Sequence, residues 1–336
     1  MPVQVTILGL GQIGGSIGLA LAEHKNLVYR VGHDREISIS RKAEQMGAID
    51  KVEINIPNAV EKADFVVLSL PVDQIQEMLS IIAPFLKENA VVMDTAPVKE
   101  PVIRWAKAVF PEMRHYVGLT PIINPKYLQD HDTGITAARG DLFQNGVIAI
   151  VTPPGIPSEA IKLATDLTTL LRAEHLFYDP VELDSLMAAT HILPQLMGAA
   201  LLNITVDQPG WRDGRKLAGR AYAEVTGPGV LPSQAGALTS AALLSQEHVV
   251  RVINNLVSML IYMRDDIQAG DAKELAERLG RATDGRARWW KERQTANWST
   301  AETAPPVGMP TSRDMWGRMF GFRRPKPKDE SGQEKK

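Results

Sequence analysis

The sequence predicts an α/β fold, in which a doubly wound sheet domain is followed by an all-helical domain. Three observations carry that prediction. Over roughly the first 150 residues, short β-branched apolar runs alternate with helical patterns, the signature of a parallel sheet covered by helices. A glycine cluster joins the first strand to the first helix. Beyond Asp179 strand signals fade and long apolar helices take over.

In order, the strand candidates are "VQVTILG", "LVYRVGHD", "ADFVVLSLP", "AVVMDTA", "RHYVGLTP" and "GVIAIVTPP", with "RAEHLFYD" as a last strand. Helical patterns run from Gly14 to His24, Ser38 to Gly47, Asp73 to Lys87, Val98 to Val109 and Ser158 to Leu171. This organisation divides the chain into a sheet domain at 1–178, a helical domain at 179–296 and a tail at 297–336. The helices "DPVELDSLMAATHILPQLMGAALLNI" and "SQEHVVRVINNLVSMLIYMRDDIQAG" are apolar over more than half their circumference, so they must be covered on several sides. A helical domain that pairs with a second copy meets that requirement. "GDAKELAERLGRATDGRARWWKERQ" reads as a more exposed, charged helix, with Trp289 and Trp290 packing beside Arg286 and Arg288. The tail is rich in Pro, Ser, Thr and Lys and reads as disordered. Its "MWGRMFGF" segment packs loosely on its own protein or docks on a partner or membrane surface; the partner is not specified.

At 336 residues the chain suits two domains, and 44% hydrophobic with 23% charged residues is an ordinary globular composition. A formal net charge of -2 gives no field for attracting nucleic acid. The absence of cysteine excludes disulfides, thiolate metal sites and thiol nucleophiles, and suits a reducing compartment. No charged n-region and apolar h-region stand at the start, so a secretory signal is not expected. The window Leu186 to Val206 is interrupted by His191, Pro194, Gln195 and Asn203, which predicts a helix buried against protein rather than a membrane span. A cytoplasmic location follows as the simplest expectation.

The glycines Gly9, Gly11 and Gly14, with Gln12 and Ile13 between the last two, stand in G-x-G-x-x-G spacing. Such glycines allow a tight turn out of the strand, close approach of a pyrophosphate and close packing of the helix, whose free N–H groups attract phosphate. The alternative is a purely structural turn. Asp34, at the end of the second strand, is suited to accept both ribose hydroxyls of NAD and to repel a 2′-phosphate. Arg35 directly after it either stacks on adenine or meets that phosphate; with the carboxylate ahead of it stacking is favoured, and NAD over NADP. Leu70 and Pro71 end a strand at the carboxyl edge of the sheet and are expected to line the cofactor. These features predict a Rossmann-type domain.

With "GLGQIGGSIG", "ADFVVLSLPVDQI", "VVMDTAPVKEPV", "YVGLTPI" and "LDSLMAATHILPQLMGAALLN" in this order, the chain resembles the prephenate dehydrogenase family over about residues 3–290. The resemblance implies a Rossmann domain, a helical dimerisation domain and an active site between them. It also implies NAD-linked oxidative decarboxylation of prephenate to 4-hydroxyphenylpyruvate in tyrosine biosynthesis. Three positions depart from the family pattern. Pro97 replaces a serine in "DTAPVK", Thr120 replaces the catalytic histidine in "VGLTPIINP", and Gly227 stands where a substrate-clamping arginine is expected, with Arg212, Arg215 and Arg220 nearby. A threonine cannot serve as a base near neutral pH, and base assistance is worth about 10²–10⁴-fold.

The candidate catalytic residues are therefore His191, matching a histidine of the family's "S-H-L-P" segment, Thr120, and Lys99. His191 either contacts substrate and moves its proton or is a buried structural histidine. Lys99 either faces the cleft to bind a carboxylate or lies solvated on the next helix. Asp184 is expected to cap or pair on its own helix. His24 and His33 flank the second strand, the latter beside the adenosine pocket. His115, His131, His175 and His248 show no ligand spacing, and no metal is expected. Two other functions remain open: a 3-hydroxy acid dehydrogenase, which would want a lysine facing the nicotinamide from the helical domain, and a non-catalytic NAD-binding dimer.

Overall fold

The computed structural model describes residues 2–130, 132–227 and 235–296. The predicted tail, with its "MWGRMFGF" segment, lies outside them, as does His131.

Strands β1 (Val3–Leu8), β2 (Val28–His33), β3 (Lys51–Val52), β4 (Phe65–Leu68), β5 (Val91–Asp94), β6 (His115–Ile122), β7 (Val147–Val151) and β8 (Glu174–Phe177) form one sheet in the order β3-β2-β1-β4-β5-β6-β7-β8. Helices α1 (Gln12–Leu21), α2 (Ile37–Gln45), α3 (Ile56–Val60), α4 (Val72–Ile82), α5 (Glu100–Val109) and α6 (Ser158–Leu170) cover it. Side chains alternate across the central strands. Val5, Ile7, Phe65, Val67 and Met93 join the core on one face, with Ile17 and Leu21 of α1. Leu8, Val66, Leu68 and Val92 join the core on the other, with α4 and α5. Burial on both faces is the reason these strands read as continuous apolar runs.

The order reverses at β1, whose neighbours β2 and β4 pair with it in parallel register, Val3 opposite Val28 and Val5 opposite Phe65. The carboxyl edge at such a switch point is where open α/β sheets bind ligands. One expectation is corrected: the sheet is mixed rather than parallel, because β7 runs antiparallel to β6 with Val147 opposite Ile122. Among the described residues of 123–146 there is no crossover α-helix. They pack instead on α1, where Arg139 N donates to Ser16 Oγ at 2.9 Å, and Ile135 lies so close that a Cβ on Gly15 would come within 2.6 Å of its Cδ1. The chain thus stays at the carboxyl edge and re-enters the sheet from there.

The helical part comprises α7 (Pro180–Met187), a π-helical turn (Ala188–Ile192), α8 (Leu193–Thr205), α9 (Trp211–Leu217), α10 (Arg220–Thr226), α11 (Ala235–Leu244), α12 (Gln246–Ala269) and α13 (Ala272–Thr295). The π turn ends two residues before Pro194, which has no N–H to continue the i→i−4 ladder. Ala188, Ile192, Ala241, Val249 and Val252 complete the core of the second sheet face, so the two parts share one apolar interior. α12 and α13 form a hairpin closed by Gly270 in left-handed conformation and by an ion pair from Arg278 to Asp266 at 2.6 Å. At the far end of α13, Arg293 donates to Ile123 O at 2.6 Å, bringing the last described helix back to the sheet domain.

A second expectation is also corrected. The helix Pro180–Thr205 is long and apolar enough to cross a membrane by length and composition, yet little of it is buried in the single chain. Its inward contacts fall to a few residues, among them Leu183, Met187 and Ile192, while Leu186, Met197 and Ile204 face outward.

Candidate functional site

The glycine loop forms as the motif demands. Gly9 has φ +91°, and a Cβ there would lie 2.3 Å from Ser69 O; a Cβ on Gly14 would lie 2.0 Å from Gly9 O. These two glycines are therefore required by protein packing. Gly11 is different: a Cβ would meet nothing within 4 Å. The space above it is open, and it caps α1, whose first turn carries no acidic side chain and no side-chain cap. Free N–H groups facing open space at a helix N-terminus are what a pyrophosphate requires.

Asp34 follows β2 and holds the loop, its Oδ2 accepting from Leu10 N at 2.9 Å and its Oδ1 from Glu36 N at 3.0 Å. Each carboxylate oxygen retains a lone pair for a ribose hydroxyl. A cavity of about 450 Å³ opens beside it, lined by Gly9, His33, Asp34, Arg35, Ile54 and Leu70 among others. Its size and its mixture of apolar wall and carboxylate fit an adenosine. Arg35 is exposed on its rim, and His33 turns Nδ1 to Glu53 O at 2.9 Å.

On the other side of Leu70, which lines both, lies a second cavity, a cleft of about 720 Å³ between the sheet edge and the helical part, with Pro71 in its wall. Ile13, Ser69, Thr95, Ala96 and Pro97 line it from one side, and Thr190, His191, Gln195, Leu238 and Ala241 from the other. Gln12, at the start of α1, lines neither space among the described residues. The lysine that a 3-hydroxy acid dehydrogenase would need is not among the described residues lining the cleft. A further cavity of about 560 Å³, between Asp64, Lys87, His115 and Glu159, opens at the opposite edge of the sheet, remote from the glycine loop. Among the described residues no group of His, Asp and Glu could hold a metal ion.

The three candidate catalytic residues separate. His191 lies in the π turn and lines the cleft; its ring is reachable by water there, while the surrounding walls withdraw solvent and lower its pKa from 6.5. Neutral imidazole is therefore its resting form near pH 7. Thr120 is buried in β6 with its hydroxyl donating to Ala96 O at 3.1 Å, so it braces the loop after β5 from behind. Lys99 neither faces the cleft nor lies in solvent: it is fully buried, 2.7 Å from Asp94 Oδ2. Burial lowers its pKa, opposed by the carboxylate beside it. Asp94 also accepts from the Tyr116 hydroxyl and, at 2.7 Å, from Ala96 N. Burial and the adjacent Asp94 push the Tyr116 phenol well above 10, so it stays protonated as a donor.

Asp184 corrects another expectation. It caps α5 rather than its own helix, accepting from Lys99 N at 2.6 Å and Glu100 N at 3.1 Å. Neither Tyr116 nor this role of Asp184 carries a local sequence signal, because the partners are remote in the chain. Gly227, at the position of the family's arginine, ends α10, and a Cβ there would lie 2.7 Å from Ala223 O.

Residues 17–176 match the family model "Prephenate dehydrogenase, nucleotide-binding domain". The chain is 25% identical over 202 residues to prephenate dehydrogenase of Bacillus subtilis, covering 60% of this chain and 53% of that protein. It is 26% identical over 209 residues to cyclohexadienyl dehydrogenase of Zymomonas mobilis, covering 60% and 66%. The crystal structure of prephenate dehydrogenase from A. aeolicus in complex with hydroxyphenyl propionate and NAD+ superposes with a TM-score of 0.75 at 21% identity, covering 86% of this chain and 98% of that one. The chain spans about half the length of the Bacillus relative.

Proposed function

We propose, from the premise that residues 17–176 are the nucleotide-binding domain of a prephenate dehydrogenase relative, that this protein is an NAD-dependent oxidoreductase of the prephenate dehydrogenase type. The observation that carries the proposal is that two adjoining cavities share Leu70 in their walls, one lined by Gly9 and Asp34 and the other by His191. Bound NAD supplies the hydride acceptor. The rest would fall to the chain: N–H groups at the start of α1 would hold the phosphates, Asp34 would accept from the ribose, and Leu70 and Pro71 would line the cofactor. A ring hydroxyl held near His191 would give its proton to the neutral imidazole, as oxidation of the carbon bearing it requires. Asp34 favours NAD over NADP, since a 2′-phosphate would meet its charge. A reducing compartment suits a chain without cysteine.

Pairing of two copies belongs to the same reading. Val250, Val257, Leu260, Ile261 and Ile267 form an exposed apolar stripe along α12, at helical spacing. A second reading, NAD binding without turnover, is favoured by the commitment of the Thr120 hydroxyl to Ala96 O and by the apolar Pro97 in the cleft wall. The deciding experiment follows NADH formation with prephenate, arogenate and a panel of hydroxy acids, alongside calorimetry with NAD and NADP. Turnover of a ring substrate that is lost in His191→Asn supports the dehydrogenase. Binding with no turnover on any substrate supports the second reading, and failure to bind either dinucleotide overturns both.

A further inference from the structure

We propose that Asp184 is a positioning residue, fastening the helix that carries His191 to the loop that carries Pro97 and so setting the width of the cleft between them. The inference rests on reading that cleft as the active site.

Asp184 is 2% exposed, and both its oxygens are spent on Lys99 N and Glu100 N, donors from the sheet domain at the start of α5. A carboxylate at a helix N-terminus is favoured by the dipole and by the orphan N–H groups there. From Lys99 the connection continues through its ammonium to Asp94, which holds Ala96 N, while Thr120 holds Ala96 O at 3.1 Å. The loop Thr95–Val98 is thus gripped at its middle and at its far end. On the other side, Asp184 precedes His191 by about two helical turns on one continuous run of helix. Pro97 and His191 face the same cleft from opposite walls.

The apolar contacts between the two parts, such as Ala188 and Ile192 with the second core, do not fix a register, because hydrophobic burial is non-directional. Hydrogen bonds from two backbone donors to one carboxylate do fix it. Burial raises the pKa of Asp184, and the two N–H groups work against that rise by stabilising the charge. Removing the carboxylate leaves both donors buried without a partner.

The test is Asp184→Asn in the full chain, which keeps the shape but turns an amide donor toward a backbone N–H; Asp184→Ala is the harsher companion. Hydrogen exchange is expected to quicken together in residues 95–100 and 187–193, with residues 9–14 unchanged and NAD affinity retained by calorimetry. For a substrate the wild type oxidises, kcat is expected to fall by up to about 10²-fold with KM nearly unchanged, the mark of misplaced reacting groups. Faster exchange confined to residues 99 and 100 overturns the proposal, as does kcat falling in step with NAD affinity and thermal stability. Wild-type protein that binds NAD but oxidises nothing overturns the active-site reading instead, and the exchange measurement still decides the clamp.

Discussion

At His191 an imidazole is withdrawn from bulk water yet left reachable within the cleft, and its lowered pKa makes two consequences measurable. Turnover is expected to rise with pH through an apparent pKa below 6.5, the limb of a base that must be deprotonated, and His191→Asn is expected to remove that limb while leaving NAD affinity intact. Stability follows the same sign. The unfolded chain takes up a proton at this residue before the folded one does, so acidification from 6.5 downward destabilises the fold, and a pH series of thermal melts checks it. At Asp34 one side chain holds the loop and also lines the cavity proposed for the adenosine. Asp34→Ala is expected to weaken NAD by roughly 10- to 100-fold, the worth of a hydrogen bond to a charged group, read by calorimetry. The placement of Asp34 beside the glycine loop was legible in the sequence because its distance from the glycines is a local spacing. The orientation of Lys99 was not, because it is decided by Asp94, Tyr116 and Asp184, which come together only in the fold.

The glycine loop separates two demands that one motif conceals. Gly14→Ala forces a Cβ against Gly9 O, an overpacking expected to cost about 1–3 kcal/mol and to shift the melting temperature. Gly11→Ala meets no protein atom within 4 Å, so thermal stability without ligand is expected to hold while NAD affinity falls. Equal stability losses in the two variants would contradict this assignment. Strand, turn and helix were readable here since apolar period and glycine spacing are properties of neighbouring residues. The direction of β7 was not, because a strand's composition does not record which way it runs, and the choice lies in the packing of residues 123–146 on α1. β3 is only two residues long and leaves no periodic signal. The π turn was signalled only by Pro194, whose effect depends on the helix around it.

Across the molecule, the sequence correctly set a sheet domain before a helical one, but it implied more burial of Pro180–Thr205 than a single chain provides. The apolar stripe of α12, with Leu260 55% and Ile267 63% exposed, is the counterpart of that shortfall. Sedimentation is expected to give twice the 36.8 kDa chain mass, and Leu260→Asp is expected to shift the protein toward that single mass. A wild-type monomer would refute the pairing. The return of α13 to the sheet domain bears on how the chain is made. Domains form in order as the polypeptide leaves the ribosome, N-terminal first. The carbonyl of Ile123 receives Arg293 only after the intervening helices have been synthesised. The seam beside β6 is therefore expected to close only after residue 293 has been made, later than the core of the nascent sheet domain.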